Sequence, residues 1–558
     1  MPSSNSSISS ITGANAAPYS ASSHRFEAWG DAWRESWRAA LGPAWAWQLA
    51  FIATCIFAAA AMRPLADPDL PIHLATGEWI VRHRAVPFVE PWAWTRAGAP
   101  FYAYSWAIEL AYYLILTHVG VWGLHALHAV VLVSMCATVV YLGYVARWRP
   151  WTTIIVVGLQ LFIVTGAAPY LRPQALLAIA MPLAWAIVLR ARDAKRLTWE
   201  LPVLTVISAV TANTHLLFPI LAAPLVLLFA ETPRERARYA TVPAAIAIGW
   251  LISPYTLVWV SVFKLYFAPN AVVDPPSPIV EYRPGFTLAR SGGLVSLVVP
   301  LAFLAVPWLV ARRLTPRERI GHGALWLGGA LVFALAARGL LVWWLVIMPA
   351  VAVSLDALPA PTLPVARTAQ RTSLLALAAL LVVDSADNLG DPWLRAGNVS
   401  WRTLPSTTAK SIEPIAAWLD CNLRPGVRGR LVTTFNLGGY VPWRLPQLSE
   451  SVDGRTFFPD SVAKAETYFP PNRAKIPLQP WRTADVAIIP FNFPVAPVLD
   501  TTRGWRRVAL TSQLDGRATI IGLWVSAGWW SRSGRPLPSS VAALPHELDP
   551  KPSEARCR

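Results

Sequence analysis

The chain has 558 residues, of which 55% are hydrophobic and 14% charged, with a mean hydropathy of +0.42. A soluble protein carries about a quarter charged residues, so a soluble globular enzyme is excluded and a polytopic helical membrane protein is implied. The net charge of +17 does not point to nucleic acid, because much of the excess sits in short loops between apolar runs, where topology asks for Lys and Arg.

Residues 1–43 read as a cytoplasmic tail, polar and Ser-rich up to Ser23 and partly disordered, without a cleavable signal peptide. Apolar runs follow at 44–62, 121–146, 151–168, 173–189, 201–213, 216–230, 240–252, 292–311, 321–337, 339–358 and 373–383. Each is a candidate span, though several are short for one. Tryptophans such as Trp45, Trp47, Trp92, Trp94, Trp148 and Trp151 flank these runs, as interfacial anchors do.

One further run, 101–118, holds Glu109 and several tyrosines. If it lies in the membrane interface, the basic clusters at Arg147–Arg149, 190–196, 231–238 and 312–319 all fall on one side, together with the N-terminal tail. If it spans, they conflict. The charge pattern therefore predicts about eleven spans, with an outer loop over 63–120. The loop 253–291 and everything after about Asp387 then also lie outside.

Residues 391–530 differ in kind. "SIEPIAAWLDCN" predicts a helix with Pro414 in its first turn. "RLVTTF", "ADVAIIP" and "ATIIGLWVS" predict strands, the first closed by a turn at "NLGGY". The expectation is a small extracytoplasmic α/β domain, followed by a disordered tail over 531–558. Cys55 and Cys136 read as buried thiols in apolar runs, whereas Cys421 and Cys557 could pair if that domain is extracytoplasmic. "NLGGY" lacks the lysine of a phosphate-binding P-loop.

The polar residues that topology gathers on the outer side are the candidate site. Asp67, Asp69, His73, Arg82 and Arg84 lie in the first outer loop, with Trp106 and Glu109 at the start of its second amphipathic helix. Arg172, Asn213, His215, Glu281 and Arg338 lie at span ends or in later outer loops. Ionisable groups at such positions are costly unless they line a cavity or pair. Acids can supply a base or oxygen ligands for a hard cation, and arginines can contact phosphate. Simpler duties stay open for each. Asp67 could cap a helix with Pro68 at its first position. Glu109 could pair with Arg82 or Arg84, Arg172 and Arg338 could snorkel, and His73 and His215 could be structural. "DGR" at Asp453 reads first as a turn.

The stretch "DPDLPIHLATGEWIVRHRAVPFVEPWAWTRAGAPFYAYSWAIEL" resembles the D-x-D-x-x-x-H-L-x-x-G-x-W-I pattern of a bacterial branch of the GT-C superfamily. "PIVEYRPGF" and "FNLGGYVPWRLPQLSESVDGRTFFPD" are similar to later elements of the same branch. The pattern's paired aromatic is Pro71-Ile72 here, and Tyr282 stands where a Trp is usual. GT-C proteins are integral-membrane glycosyltransferases that use polyprenyl-phosphate sugars. The resemblance implies a domain over 44–390 with two juxtamembrane helices in the 63–120 loop, in the cytoplasmic membrane. It implies Asp67 or Asp69 as the catalytic carboxylate that activates the acceptor, or as a metal ligand. His73, Arg82, Arg84, Trp106, Glu109, Arg172, His215, Glu281 and Arg338 would contact substrate. Asp67, Asp69 and Glu281 could hold Mg or Mn. The expected activity is inverting transfer of a hexose or pentose from a polyprenyl-phosphate-linked donor to a glycan, lipid or protein acceptor of the cell envelope. A non-catalytic scaffold for envelope assembly is the alternative. A transporter fits less well, since no mid-span charges or internal repeat stand out.

Overall fold

A computed structural model of the chain describes residues 30–38, 53–54, 65, 67, 69–167, 171–193, 199–229, 231–267, 303–305, 314–336, 339–357, 407–424, 426–451, 483–511, 520–532 and 536–544. The expected run 373–383, Glu281, Arg338 and Asp453 lie outside these residues, as does most of 44–62 and of 292–311.

After a short helical stretch at 30–38, two short helices precede the described apolar bundle, α1 (Leu70–His83) and α2 (Trp106–Val119). The apolar runs then form α3 (Val121–Val145), α4 (Pro150–Ala167), α5 (Leu177–Asp193), α6 (Glu200–Ala212), α7 (Thr241–Leu251), α8 (Trp259–Phe267), α9 (Pro316–Leu335) and α10 (Gly339–Ala357). Among the described residues, three helical stretches are long and apolar enough to cross a membrane: Val121–Val145, Pro173–Arg192 and Gly339–Asp356. A fourth span is possible if α7 and its continuation, bent by 97°, count as one. Shorter apolar helices of 10–17 residues are Trp106–Val119, Pro150–Val164, Glu200–Ala212 and Phe218–Phe229. These apolar helices mark a multi-pass membrane protein.

Their core is built by side chains with no polar atoms, such as Leu142, Met181, Ala184 and Met348, all 0% exposed. Some of the polar groups inside tie helices together, as a low-dielectric interior favours. Gln160 donates to the Ala178 carbonyl at 2.8 Å and accepts from the Trp344 indole. Ser208 on α6 donates to the Ile246 carbonyl of α7 at 2.8 Å.

The two ends of α5 carry different chemistry. At its C-terminal end Arg192 pairs with Glu231 and, at 3.2 Å, with Glu318, while Arg190 lies 3.6 Å from Glu200. At the other end, before Pro173, stands Arg172. Twenty helical residues span about 30 Å, so the basic-loop network and the Arg172 cluster face opposite sides of the apolar layer.

The C-terminal part is a mixed six-stranded sheet in the order β2-β1-β3-β5-β4-β6. The strands are β1 (Gly429–Thr433), β2 (Leu448–Glu450), β3 (Val486–Pro490), β4 (Trp505–Thr511), β5 (Ile521–Ser526) and β6 (Ala542–Leu544). β1 pairs in parallel with β2 and β3, and β5 is antiparallel to both β3 and β4. Every residue of β3 is buried, as expected for a central strand covered on both faces. One covering helix is α11 (Thr407–Asn422).

Three local expectations are corrected. Pro414 lies well inside α11 rather than in its first turn, because the helix begins at Thr407. "NLGGY" is not a simple turn, since it runs from a short helix, Phe435–Gly438, into α12 (Val441–Arg444). Glu109 pairs with neither Arg82 nor Arg84. Cys421 is disulfide-bonded, with a partner outside the described residues, and Cys136 is a free thiol.

The outer-loop helices belong as much to the sheet as to the apolar bundle. Leu70, Ile72, Leu74, Ile108, Tyr112 and Leu116 share one buried cluster with Ile412, Leu431, Trp443, Ile488 and Leu523. Trp443 of α12 meets Tyr113 of α2 edge to face, with ring centroids 6.3 Å apart. Between α1 and α2 the chain adds itself to the sheet edge. Ala93 bridges in parallel to Glu450, and the Trp92 carbonyl accepts from the Glu450 N–H at 3.2 Å and from Ser449 Oγ at 2.6 Å.

Candidate active site

α1 starts at Leu70, with Asp69 at its N-cap position and Pro71 in its first turn. Asp69 makes no side-chain cap. Instead its backbone N–H donates to Asp67 Oδ1 at 3.0 Å. This turn folds Asp67 under the helix start, where it is 0% exposed. An isolated carboxylate there would be strongly disfavoured. Arg172 supplies the counter-charge, with Nε 3.0 Å from Asp67 Oδ2 and Nη2 3.4 Å from Oδ1. The same Nη2 lies 3.5 Å from Asp69 Oδ2. Two acids thus share one guanidinium, which is planar and forked for such bidentate contact. Their environments differ, since the Asp67 side chain is 1% exposed and that of Asp69 36%.

One turn into α1, His73 Nδ1 lies 2.8 Å from Glu109 Oε1 on α2. Gly77 makes this meeting possible. It sits four residues after His73, on the same helix face, and a Cβ there would lie 2.4 Å from the Glu109 backbone oxygen. Only a glycine lets α2 approach α1 so closely.

Burial pulls the His73 imidazole towards the neutral form. The hydrogen bond and charge of Glu109, with Asp69 and Asp67 beyond, outweigh it and leave the pKa raised. Tyr112, edge-on to His73 with centroids 6.4 Å apart, is held well above the ordinary phenol range by burial and then by Asp67 and Glu109. Its phenol stays protonated.

The other expected residues divide. Trp106 donates its indole N–H to Asn213 Oδ1 at 2.7 Å, and Asn213 in turn donates to the Ile252 carbonyl at 2.6 Å. This ties the start of α2 to the ends of α6 and α7. His215 accepts from the Leu217 N–H at 3.1 Å and meets Tyr104 edge-on, so it braces the 101–105 segment. Arg82 pairs with Glu78 at 2.5 Å on the same helix. Arg84 is exposed, in left-handed conformation after α1. Neither is drawn into the Asp67 cluster.

Sequence reasoning passed over Tyr112 and Tyr255, and met Gly77 only as the glycine of the D-x-D-x-x-x-H-L-x-x-G-x-W-I pattern. Tyr255 donates its hydroxyl to the Pro87 carbonyl at 2.9 Å and accepts from the Ala103 N–H at 3.0 Å, stapling both arms of the loop. Its one legible signal was a tyrosine just past the apolar run 240–252.

Among the described residues no group of three or more His, Cys, Asp or Glu is gathered for a metal ion. The two aspartates are already engaged by Arg172, and Glu281, the third expected ligand, is outside the described residues.

No protein-family model and no curated protein sequence matches the chain. Among solved structures it is similar to a mutant form of the arabinofuranosyltransferase AftD from Mycobacteria. That match has TM-score 0.52 and 14% identity, over 86% of this chain and 41% of that one. It is also similar to ArnT from Cupriavidus metallidurans bound to undecaprenyl phosphate, with TM-score 0.49 and 13% identity, over 86% of this chain and 97% of that one. The chain thus spans about two-fifths of the length of AftD. With its apolar bundle and the two packed helices α1 and α2, the chain shares its fold with the AftD structure over 86% of its own length.

Proposed function

We propose that the protein is a membrane glycosyltransferase that moves one sugar from a polyprenyl-phosphate donor to an acceptor hydroxyl, on the extracytoplasmic side of a bacterial cytoplasmic membrane. The carrying observation is the Asp67–Arg172–Asp69 cluster at the end of the apolar helices. It joins an open carboxylate to a cation anchored by a buried one, where a lipid-borne phosphate would meet an acceptor from outside.

In this reading Asp69 takes the proton of the acceptor hydroxyl as the oxygen attacks the anomeric carbon. The bond from that carbon to the phosphate oxygen breaks, and its electron pair leaves with the polyprenyl phosphate. Arg172 lies beside the departing oxygen and stabilises its negative charge. Attack from the face opposite the leaving group inverts the anomeric centre. Asp67 does not react, because its task is to hold Arg172 in the low-dielectric edge. The basic network around Arg192 then faces the cytoplasm, in keeping with the positive-inside rule.

The test is turnover of purified protein in lipid with radiolabelled polyprenyl-phosphate sugars and envelope glycans or lipids as acceptors. Release of polyprenyl phosphate supports the reading, and binding of donor without release supports a scaffold.

A further inference from the structure

A second feature beside the aspartates has no part in that mechanism. Glu109 is 6% exposed. Its Oε1 is engaged by His73, whereas its Oε2 is buried and makes no hydrogen bond among the described residues. A buried carboxylate oxygen without a donor is costly. Glu109 also lines a small cavity bordered by His73, Thr76, Tyr102, Tyr104 and Ser105.

The cavity selects what can fill it. Its volume of about 10 Å³ is near that needed by one water, so a single hydroxyl fits and a whole sugar ring does not. The carboxylate repels anions such as phosphate. A second cation is disfavoured by His73, which the three neighbouring acids hold towards its charged form. What remains is a neutral O–H donor, which a carboxylate oxygen binds strongly. Tyr102 and Tyr104 border the same cavity, and such aromatic rings offer an apolar face beside a polar tip. That pairing of apolar face and hydroxyl acceptor suits a saccharide.

We propose that this cavity is a subsite for one hydroxyl of a saccharide acceptor, which donates its hydrogen bond to Glu109 Oε2 while the ring lies at the mouth against Tyr102. The proposal rests on the glycosyltransferase reading and deepens it by naming the acceptor class. His73 is a positioning residue that fixes the carboxylate through Oε1, and Gly77 lets the two helices close on it.

The experiment reads binding, not turnover. Methyl glycosides of arabinofuranose, mannose, galactose and glucose are offered to the full chain in lipid nanodiscs, and saturation-transfer NMR gives a Kd for each. Glu109→Gln removes the charged acceptor, and Thr76→Ile plugs the cavity without touching the charge. Both are checked for wild-type melting, and either one that folds is decisive. The expected result is binding of at least one glycoside, weakened fivefold or more by each folded variant. Binding unchanged in a folded variant overturns the subsite. Failure of wild type to bind any glycoside also overturns it and leaves the cavity to a water molecule. Glutamate-dependent binding without turnover upholds the subsite while overturning the transferase. Turnover with glycoside binding unchanged by Glu109→Gln does the reverse.

Discussion

Nε of Arg172 lies 3.0 Å from Oδ2 of Asp67, joining the end of the apolar bundle to the outer loop across 105 residues of chain. Breaking one side of such a buried pair leaves an uncompensated charge and costs about 3–5 kcal/mol. Asp67→Asn is therefore expected to lower the melting temperature of the purified protein sharply. Combining it with Arg172→Met should recover much of the loss. A double variant no better than the single one would show that the pair is not an energetic unit.

Gly77→Ala tests the close crossing of α1 and α2. The added methyl meets the Glu109 backbone oxygen at 2.4 Å, and the helices must part. Overpacking of this kind costs about 1–3 kcal/mol. The expected readout is a lower melting temperature together with a His73 pKa that falls as Glu109 withdraws. Wild-type stability would mean that the helices have room to yield.

The pH dependence of His73 follows from its surroundings. Burial opposes its charge, but Glu109, Asp69 and Asp67 outweigh it, so the folded pKa is above the ordinary value near 6.5. A raised pKa means that the pair's contribution to stability is fully present below about pH 6.5 and is lost as pH rises through the folded value. NMR titration of the His73 ring should give that elevated pKa in wild type and a lower one in Glu109→Gln. Equal values would remove Glu109 as the cause.

The sheet and the loop helices should unfold together. Trp443 is 0% exposed and lies against Tyr113 of α2, and truncating such a core tryptophan costs about 3–5 kcal/mol. Trp443→Ala is expected to lower the melting temperature and also to speed amide exchange in α1 and α2. Faster exchange confined to the sheet would show that the loop helices are held by the apolar bundle alone.

The bundle and the polar clustering were legible in the sequence, but the pairings were not. Runs such as 121–146 and 339–358 announce α3 and α10 because continuous apolarity has few other uses. Asp67, Asp69 and Arg172 were gathered by topology, since acids and arginines at span ends need partners. Nothing local, however, says that His73 meets Glu109 36 residues away. That pairing depends on Gly77, whose value lies in a missing side chain. The pairing of Arg82 with Glu78 was within reach of the i, i+4 rule. β4 was not anticipated, because Arg506 and Arg507 interrupt its apolar pattern while its buried face rests on Val508 and Ala509.

The most direct measurement compares wild type with Asp69→Asn in single-turnover release of polyprenyl phosphate from a radiolabelled sugar donor, in lipid and with acceptor present. Asparagine keeps the size but cannot take the proton, and loss of a general base typically removes 10²–10⁴-fold in rate. Wild type is expected to release polyprenyl phosphate, and a folded Asp69→Asn variant to do so slower by about that factor. Release at the wild-type rate by Asp69→Asn, or none by wild type with any polyprenyl-phosphate sugar, would contradict the proposed mechanism.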